Sequence, residues 1–231
     1  MSAEEFKRVA ANAAAELVRP ETTLGLGTGS TAAHFIAALG ARVRDGLCVK
    51  GVPTSDETAR KAAAAGIDII EPDETTTIDL AVDGTDEVDG ALTLIKGGGG
   101  ALLREKIVAS AARRFVVIAD SSKKVAQLGR FPLPVEIERF AFALTVREIR
   151  SVLSDLGYDG GVQLRVSTAG RVFLSDGGNF ILDCPLGRIS DARALDAALK
   201  KVPGVIETGL FIAMADEVIL AGPSGVERLR R

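Results

Sequence analysis

Histidine and cysteine are nearly missing from this sequence: one histidine, His34, and two cysteines, Cys48 and Cys184, in 231 residues. A single histidine leaves no His/Cys cluster to hold zinc and no nucleophile with a histidine base of the kind hydrolases use. His34 itself, inside AAHFIAAL, reads as a packing residue of a helix. Neither cysteine has a close partner in sequence. Cys48 lies in the apolar run LCVKGV and Cys184 in FILDC, so both read as buried free thiols in a reducing, cytoplasmic compartment. An excess of either charge is missing too: a net charge of −3 with 26% charged residues implies neither a nucleic-acid-binding surface nor disorder. No apolar run is long enough to span a membrane, and the opening MSAEEFKRVAANAAAELV reads as an amphipathic helix rather than a signal peptide.

What the chain has in quantity is apolar residues, 47%, and glycine, 25 residues. The apolar residues are grouped. TTLGLG (22–27), LCVKGV (47–52), IDII (67–70), LAVDG (80–84), TLIKG (93–97) and FVVIAD (115–120) read as strands, with helices near 30–44, 55–65 and 101–113. Strands apolar on both faces and separated by helices predict an α/β fold: an open, mostly parallel, Rossmann-like sheet with helices on both faces. After GRFPLPVEI the rhythm changes to strand 132–138, helix 145–157, strands 161–167 and 178–184, helix 190–201 and strand 205–211, the β-α-β-β-α-β order of a smaller ferredoxin-like α+β domain. ADEVILAG (215–222) reads as one more strand returning to the first sheet. The expected domains are 1–129 with 212–231, and 130–211.

Four clusters fall where such a sheet carries ligands, at the carboxyl ends of its strands. In GLGTGST (25–31), a helix start with the hydroxyls of Thr28, Ser30 and Thr31 makes an anion cradle, and Pro53, Thr54 and Ser55 stand where a dinucleotide site would need an acid, so a single phosphate fits better than NAD. In DLAVDGTDEVDG (79–90), Glu87 and Asp89 read as a solvated turn without calcium-loop spacing, whereas Asp83 and Asp86 leave a buried strand at its carboxyl end. In KGGGGALLREKIVA (96–109), four glycines are unfavourable to order unless backbone must pass close to something. On the helix that follows, Glu105 has Ala101, Leu102, Val108 and Ala109 at i±3 and i±4, and points away from a Leu103/Ile107 stripe. A carboxylate among apolar neighbours is conditioned to act as a general base near neutral pH. Lys96 can place positive charge on an oxyanion or be a surface lysine; Lys123, in ADSSKKV (119–125), gains weight from its place at a strand end.

Taken in order, GLGTGSTAAHFI, VPTSDETA, VDGTDEVD, KGGGGALLREKIVA, IADSSKKV, FPLPVEI and PGVIETGLF resemble the successive motifs of the type A ribose-5-phosphate isomerase family over nearly the whole chain. The resemblance implies interconversion of ribose 5-phosphate and ribulose 5-phosphate, without metal, nucleotide or other cofactor, by a two-domain protein that assembles as a homodimer or homotetramer and has no nucleic-acid or membrane partner. It gives Glu105 the role of proton-transferring base, with Asp83 and Lys96 beside it. It gives Thr28, Gly29, Ser30, Thr31, Asp83, Gly84, Thr85, Asp86, Lys96, Gly97, Gly98, Gly99 and Lys123 the substrate contacts. One departure is Gly100, where the resemblance leads to alanine. Two other classes stay open: a sugar-phosphate sensor, which would bind without turnover, and a related enzyme, either a sugar-phosphate deaminase releasing ammonia or a coenzyme A transferase forming a glutamyl thioester.

Overall fold

The computed structural model describes residues 2–159 and 161–231. In chain order the elements begin α1 (Ala3–Ala15), β1 (Thr22–Leu26), α2 (Ser30–Arg44), β2 (Val49–Pro53), α3 (Asp56–Ala64), β3 (Asp68–Ile69), β4 (Leu80–Gly84), β5 (Glu87–Val88), β6 (Leu94–Ile95), α4 (Leu102–Ala111) and β7 (Phe115–Asp120). They continue with a 3-10 turn (Ser121–Lys123), β8 (Leu133–Ile137), α5 (Phe142–Asp155), β9 (Gln163–Leu164), β10 (Phe180–Cys184), α6 (Ala192–Leu199), β11 (Val205–Thr208), β12 (Leu210–Phe211), β13 (Glu217–Gly222) and β14 (Gly225–Arg230). The chain divides into two compact units, one of Met1–Thr85, Arg104–Lys124 and Ala213–Arg231, the other of Asp86–Leu103 and Val125–Ile212.

The first unit is built on a seven-stranded sheet in the order β14-β13-β7-β4-β1-β2-β3, parallel throughout except for the β13–β14 hairpin. Its central strands are buried on both faces, which is why they read as continuous apolar runs. Alternation along them sorts the faces. Leu24, Leu26, Val82, Val116 and Ile118 pack with Phe35 and Leu39 of α2 and the alanines of α1. Gly25, Ala81 and Asp83 point the other way, toward Val108 of α4. Helices therefore cover both faces, and the strand at 215–222 does return to this sheet, beside β7. Each fully buried large side chain, Phe35 or Phe115 for example, contributes about 1.5–3 kcal/mol.

The second unit holds a four-stranded antiparallel sheet in the order β11-β8-β10-β9, with Ile149 and Leu153 of α5 and Leu195 and Leu199 of α6 on its core. The β-α-β-β-α-β order is present. A three-stranded antiparallel sheet, β12-β6-β5, completes the unit.

Three expectations are corrected. The run at 93–97 is not a strand of the parallel sheet; Leu94–Ile95 pairs antiparallel with β5 and β12, because a two-residue apolar pair fits either sheet and only its partners decide. The strand expected over 205–211 is two, β11 and β12, in different sheets. Cys48 is exposed, just before β2, and only Cys184 is buried, its thiol pushed up to about 12 by desolvation and by Asp183. On α4, as expected, Glu105 points away from the Leu103/Ile107 side: Ile107 is 57% exposed, while Leu102, Glu105, Val108 and Ala109 are buried. Among the described residues no helix is long and apolar enough to cross a membrane.

Candidate active site

In the first unit, β1 delivers the chain into a loop whose every residue is constrained. A Cβ on Gly27 would lie 2.1 Å from Asp83 Oδ1, and Gly29 has a φ of +103°, so neither position accepts another residue without strain. The N–H groups of Thr28 and Gly84 both donate to Asp83 Oδ1, at 3.1 and 2.7 Å, so Asp83 ties the ends of β1 and β4 together. The Thr28 hydroxyl meets those of Thr54 (2.7 Å), Ser55 (2.9 Å) and Thr58 (3.1 Å), and Thr58 in turn donates to the Gly27 carbonyl at 3.0 Å. This knot is what VPTSDET supplies in place of a dinucleotide acid.

Helix α2 then starts at Ser30 from a glycine cap with no side-chain hydrogen bond, leaving its first N–H groups to an outside acceptor. Ser30 is exposed and Thr31 buried at the helix start. Lys7 Nζ donates to Ser30 Oγ at 3.0 Å and to Glu4 Oε1 at 2.6 Å. Sequence reading passed over Lys7, since a lysine three residues after a glutamate on an amphipathic helix carries no local mark of a site. Glu4 also accepts from His34 Nε2 at 3.0 Å, and these contacts with Lys7 and His34 hold its carboxyl below the ordinary range. His34 is thus a partly exposed hydrogen-bond partner of Glu4 rather than a packing residue. Lys123, half-buried, closes the 3-10 turn after β7, whose start is capped by Asp120 accepting from Ser122 N at 3.0 Å.

On the α4 face, Asp83 and Glu105 are 3% and 4% exposed and line one narrow cleft with Gly25, Gly27, Ala81 and Val108. Glycine at 25 lets α4 approach: a Cβ there would stand 2.5 Å from Val108 Cγ1.

The second unit carries the glycine loop. Lys96 is 2% exposed, its Nζ 5.4 Å from the centre of the Phe211 ring, and its N–H donates to the Gly209 carbonyl at 2.9 Å. Gly97 and Gly100 have φ of +106° and +81°, and a 3.0 Å bond from Gly100 N to Gly97 O closes the turn. Gly98 and Gly99 are exposed. Gly98 N donates to Asp86 Oδ2 at 2.8 Å. Glycine at 100 has a local reason, since a Cβ there would fall 2.4 Å from the Phe173 ring. Glu87, expected in a solvated turn, is fully buried: its carboxylate accepts from Gly129 N and Phe131 N, both at 2.7 Å. Asp89 does build a turn, its Oδ1 accepting from Ala91 N and Thr93 N at 2.9 Å.

An open parallel sheet that ends in an anion-ready helix start, with a buried carboxylate pair on its other face, is the framework of α/β proteins that hold a small phosphorylated molecule. The comparisons narrow the class. A sequence model of ribose 5-phosphate isomerase A (phosphoriboisomerase A) matches residues 50–225. Ribose-5-phosphate isomerase A of Rhodopseudomonas palustris (strain BisB18) is 54% identical over 231 residues, covering all of both chains. The solved ribose 5-phosphate isomerase A of Methanocaldococcus jannaschii is 40% identical with a TM-score of 0.91, again over all of both chains. A D-ribose-5-phosphate isomerase solved in complex with phospho-erythronic acid is 38% identical with a TM-score of 0.91 over the same full coverage. The chain belongs to the ribose 5-phosphate isomerase A family.

Proposed function

We propose that the protein interconverts D-ribose 5-phosphate and D-ribulose 5-phosphate through a cis-enediolate, in the non-oxidative pentose phosphate pathway. The observation that carries this reading is the buried pair of Asp83 and Glu105 in one cleft of the unit that also holds the anion-ready start of α2. Moving a carbonyl from C1 to C2 requires a proton to leave one carbon and return to its neighbour, and one carboxylate can do both. Glu105 is that base. Asp83, fixed by the N–H groups of Thr28 and Gly84, moves protons among the sugar oxygens during ring opening. Lys96 supplies the positive charge that the enediolate oxygen needs. Gly29, Ser30, Thr31 and Lys123 contact the phosphate, and Lys7 adds a second cation there, through the side chain it already places on Ser30. Thr28, Gly84, Thr85, Asp86, Gly97, Gly98 and Gly99 contact the sugar through backbone and short side chains.

A phosphorylated four-carbon acid held by a relative supports the same reading, because its carboxylate offers a planar pair of oxygens like those of an enediolate. Homodimer or homotetramer assembly belongs to the proposal as well, supported by Phe140 and Leu144, 85% and 55% exposed near the start of α5. Light scattering on the purified protein reads the assembly directly.

The test of the chemistry is turnover of ribose 5-phosphate in D₂O by wild type and Glu105→Gln. Wild type should give product carrying deuterium at the carbon that receives the proton, and the variant should lose about 10²- to 10⁴-fold in kcat with little change in substrate affinity. A hydride shift would carry the substrate's own hydrogen across. Product free of deuterium, or a fully active variant, would remove Glu105 from the mechanism. Ammonia release or a glutamyl thioester would move the protein to the deaminase or transferase class.

A further inference from the structure

The glycine loop is clamped by a side chain 67 and 68 residues beyond the carbonyls it holds, one that the proposed chemistry does not use. Arg165, just after β9, has a side chain only 11% exposed. Its Nη1 donates to the Gly97 carbonyl at 2.7 Å and to the Gly98 carbonyl at 3.2 Å. The other edge of the same guanidinium forms a two-toothed pair with Asp183 of β10, Nε to Oδ2 at 2.9 Å and Nη2 to Oδ1. Its Cζ lies 5.9 Å from the centre of the Phe173 ring, the ring on which Gly100 packs without a Cβ. One cation thus connects a strand, an aromatic ring and two consecutive loop carbonyls. Gly98 is gripped on both sides, its N–H by Asp86 and its carbonyl by Arg165.

We propose that Arg165 is a positioning residue for the reaction, setting the peptide planes of Gly97 and Gly98 so that the exposed Gly98–Gly99 edge and Asp86 meet the reacting end of the sugar in one orientation. This rests on the isomerase reading for the identity of the sugar, but not for the clamp. Arginine suits the task because its planar fork bonds in two directions at once, and its charge does not vary with pH. A lysine would reach either Asp183 or the carbonyls. Carbonyls drawn back onto Arg165 also keep acceptors away from a sugar whose developing charge is negative.

The experiment compares Arg165→Met, Arg165→Lys and Asp183→Asn with wild type in the full chain. Amide hydrogen exchange is followed over residues 97–101 and, as a reference, over β8, together with kcat and KM for ribose 5-phosphate and the affinity for inorganic phosphate. Arg165→Met should speed exchange in the loop at least about tenfold while β8 is unchanged, lower kcat by about 10- to 100-fold, and leave phosphate affinity within about twofold. Arg165→Lys and Asp183→Asn should fall between it and wild type, and they carry the test should Arg165→Met fail to fold. Loop exchange and kcat both at wild-type values would overturn the proposal. So would exchange that rises equally in the loop and in β8, which marks general loosening. A wild type that does not turn over ribose 5-phosphate refutes the isomerase reading, and loop exchange then still decides whether Arg165 holds the loop.

Discussion

Thr28 in the loop before α2 and Gly98 in the loop before α4 each sit among glycines at the end of a strand, yet they are held by different forces. Thr28 is fixed by three neutral hydroxyls, with a carboxylate on its amide. Gly98 is fixed by an aspartate on one side and an arginine on the other, and both its neighbours are glycine. Neutral hydroxyl networks on a packed sheet are insensitive to salt and resist displacement. Ionic clamps weaken with salt where solvent reaches them, and the shielded Arg165, its side chain 11% exposed, keeps most of its hold. The first loop is therefore held without net charge on the groups around the Thr28 hydroxyl, and the second by charge on both sides of Gly98.

The largest effect should come from adding one methyl group to each loop. Gly27→Ala would press a Cβ to 2.1 Å from Asp83 Oδ1 and 2.6 Å from its Cα, so backbone must move. It should destabilise the fold by about 3 kcal/mol and lower kcat/KM by about 10²-fold or more, read by urea unfolding and turnover. Gly98→Ala meets the carboxylate end of Asp86 at 2.7 Å and the Phe131 ring edge at 3.0 Å, side-chain ends that can shift, so its stability loss should be under about 1 kcal/mol. Equal losses for the two would break the contrast between them.

Next in size is Lys7→Ala, which removes the cation resting on Ser30. Affinity for inorganic phosphate should fall about tenfold, and more steeply at low than at high ionic strength. Unchanged affinity at both would place Lys7 outside the phosphate site.

The smallest effect tests an ion cluster that holds structure alone. Burial by itself would raise the Glu217 carboxyl, but Arg228 (3.0 Å), Arg114 and Arg230 (3.3 Å) outweigh it and keep it below the ordinary range. A depressed folded value means that the stabilisation is complete above about pH 5 and fades as pH falls through that value. Glu217→Gln should therefore cost about 1 kcal/mol at pH 7, the partly exposed guanidinium ends limiting it, and the gap in Tm between variant and wild type should narrow as pH falls through the depressed value of the folded-state carboxyl. A gap that widened in acid would reverse the assignment.

What could be read from the sequence follows the same physics. Strands buried on both faces announce themselves as apolar runs, which is why the parallel sheet and the change of rhythm after Gly129 were legible. Glu105 was legible because its i±3 and i±4 neighbours are apolar, a property of one helix. Glu87 was not: its burial depends on two amides at Gly129 and Phe131, more than forty positions away, and among its acidic neighbours nothing local separates it from a solvated turn. Lys7, Arg165 and the placement of Leu94–Ile95 failed for that reason too, each defined by a partner distant in sequence. Cys48 misled because an apolar run at a strand's entry need not be covered there.

The place of β13 has a consequence for how the protein is made. It inserts between β7 and β14, so when β7 leaves the ribosome one of its two edges has no strand to pair with. Residues 121–216 must be translated first, which at roughly 5–20 residues per second takes about 5–20 s. Within that interval α5, α6 and strands β8 to β12 emerge and can pack on the core of the second unit, while an apolar, unpaired β7 is open to any other strand. A nascent chain stalled before Glu217 should accordingly bind chaperones and aggregate, and release past Arg230 should end both.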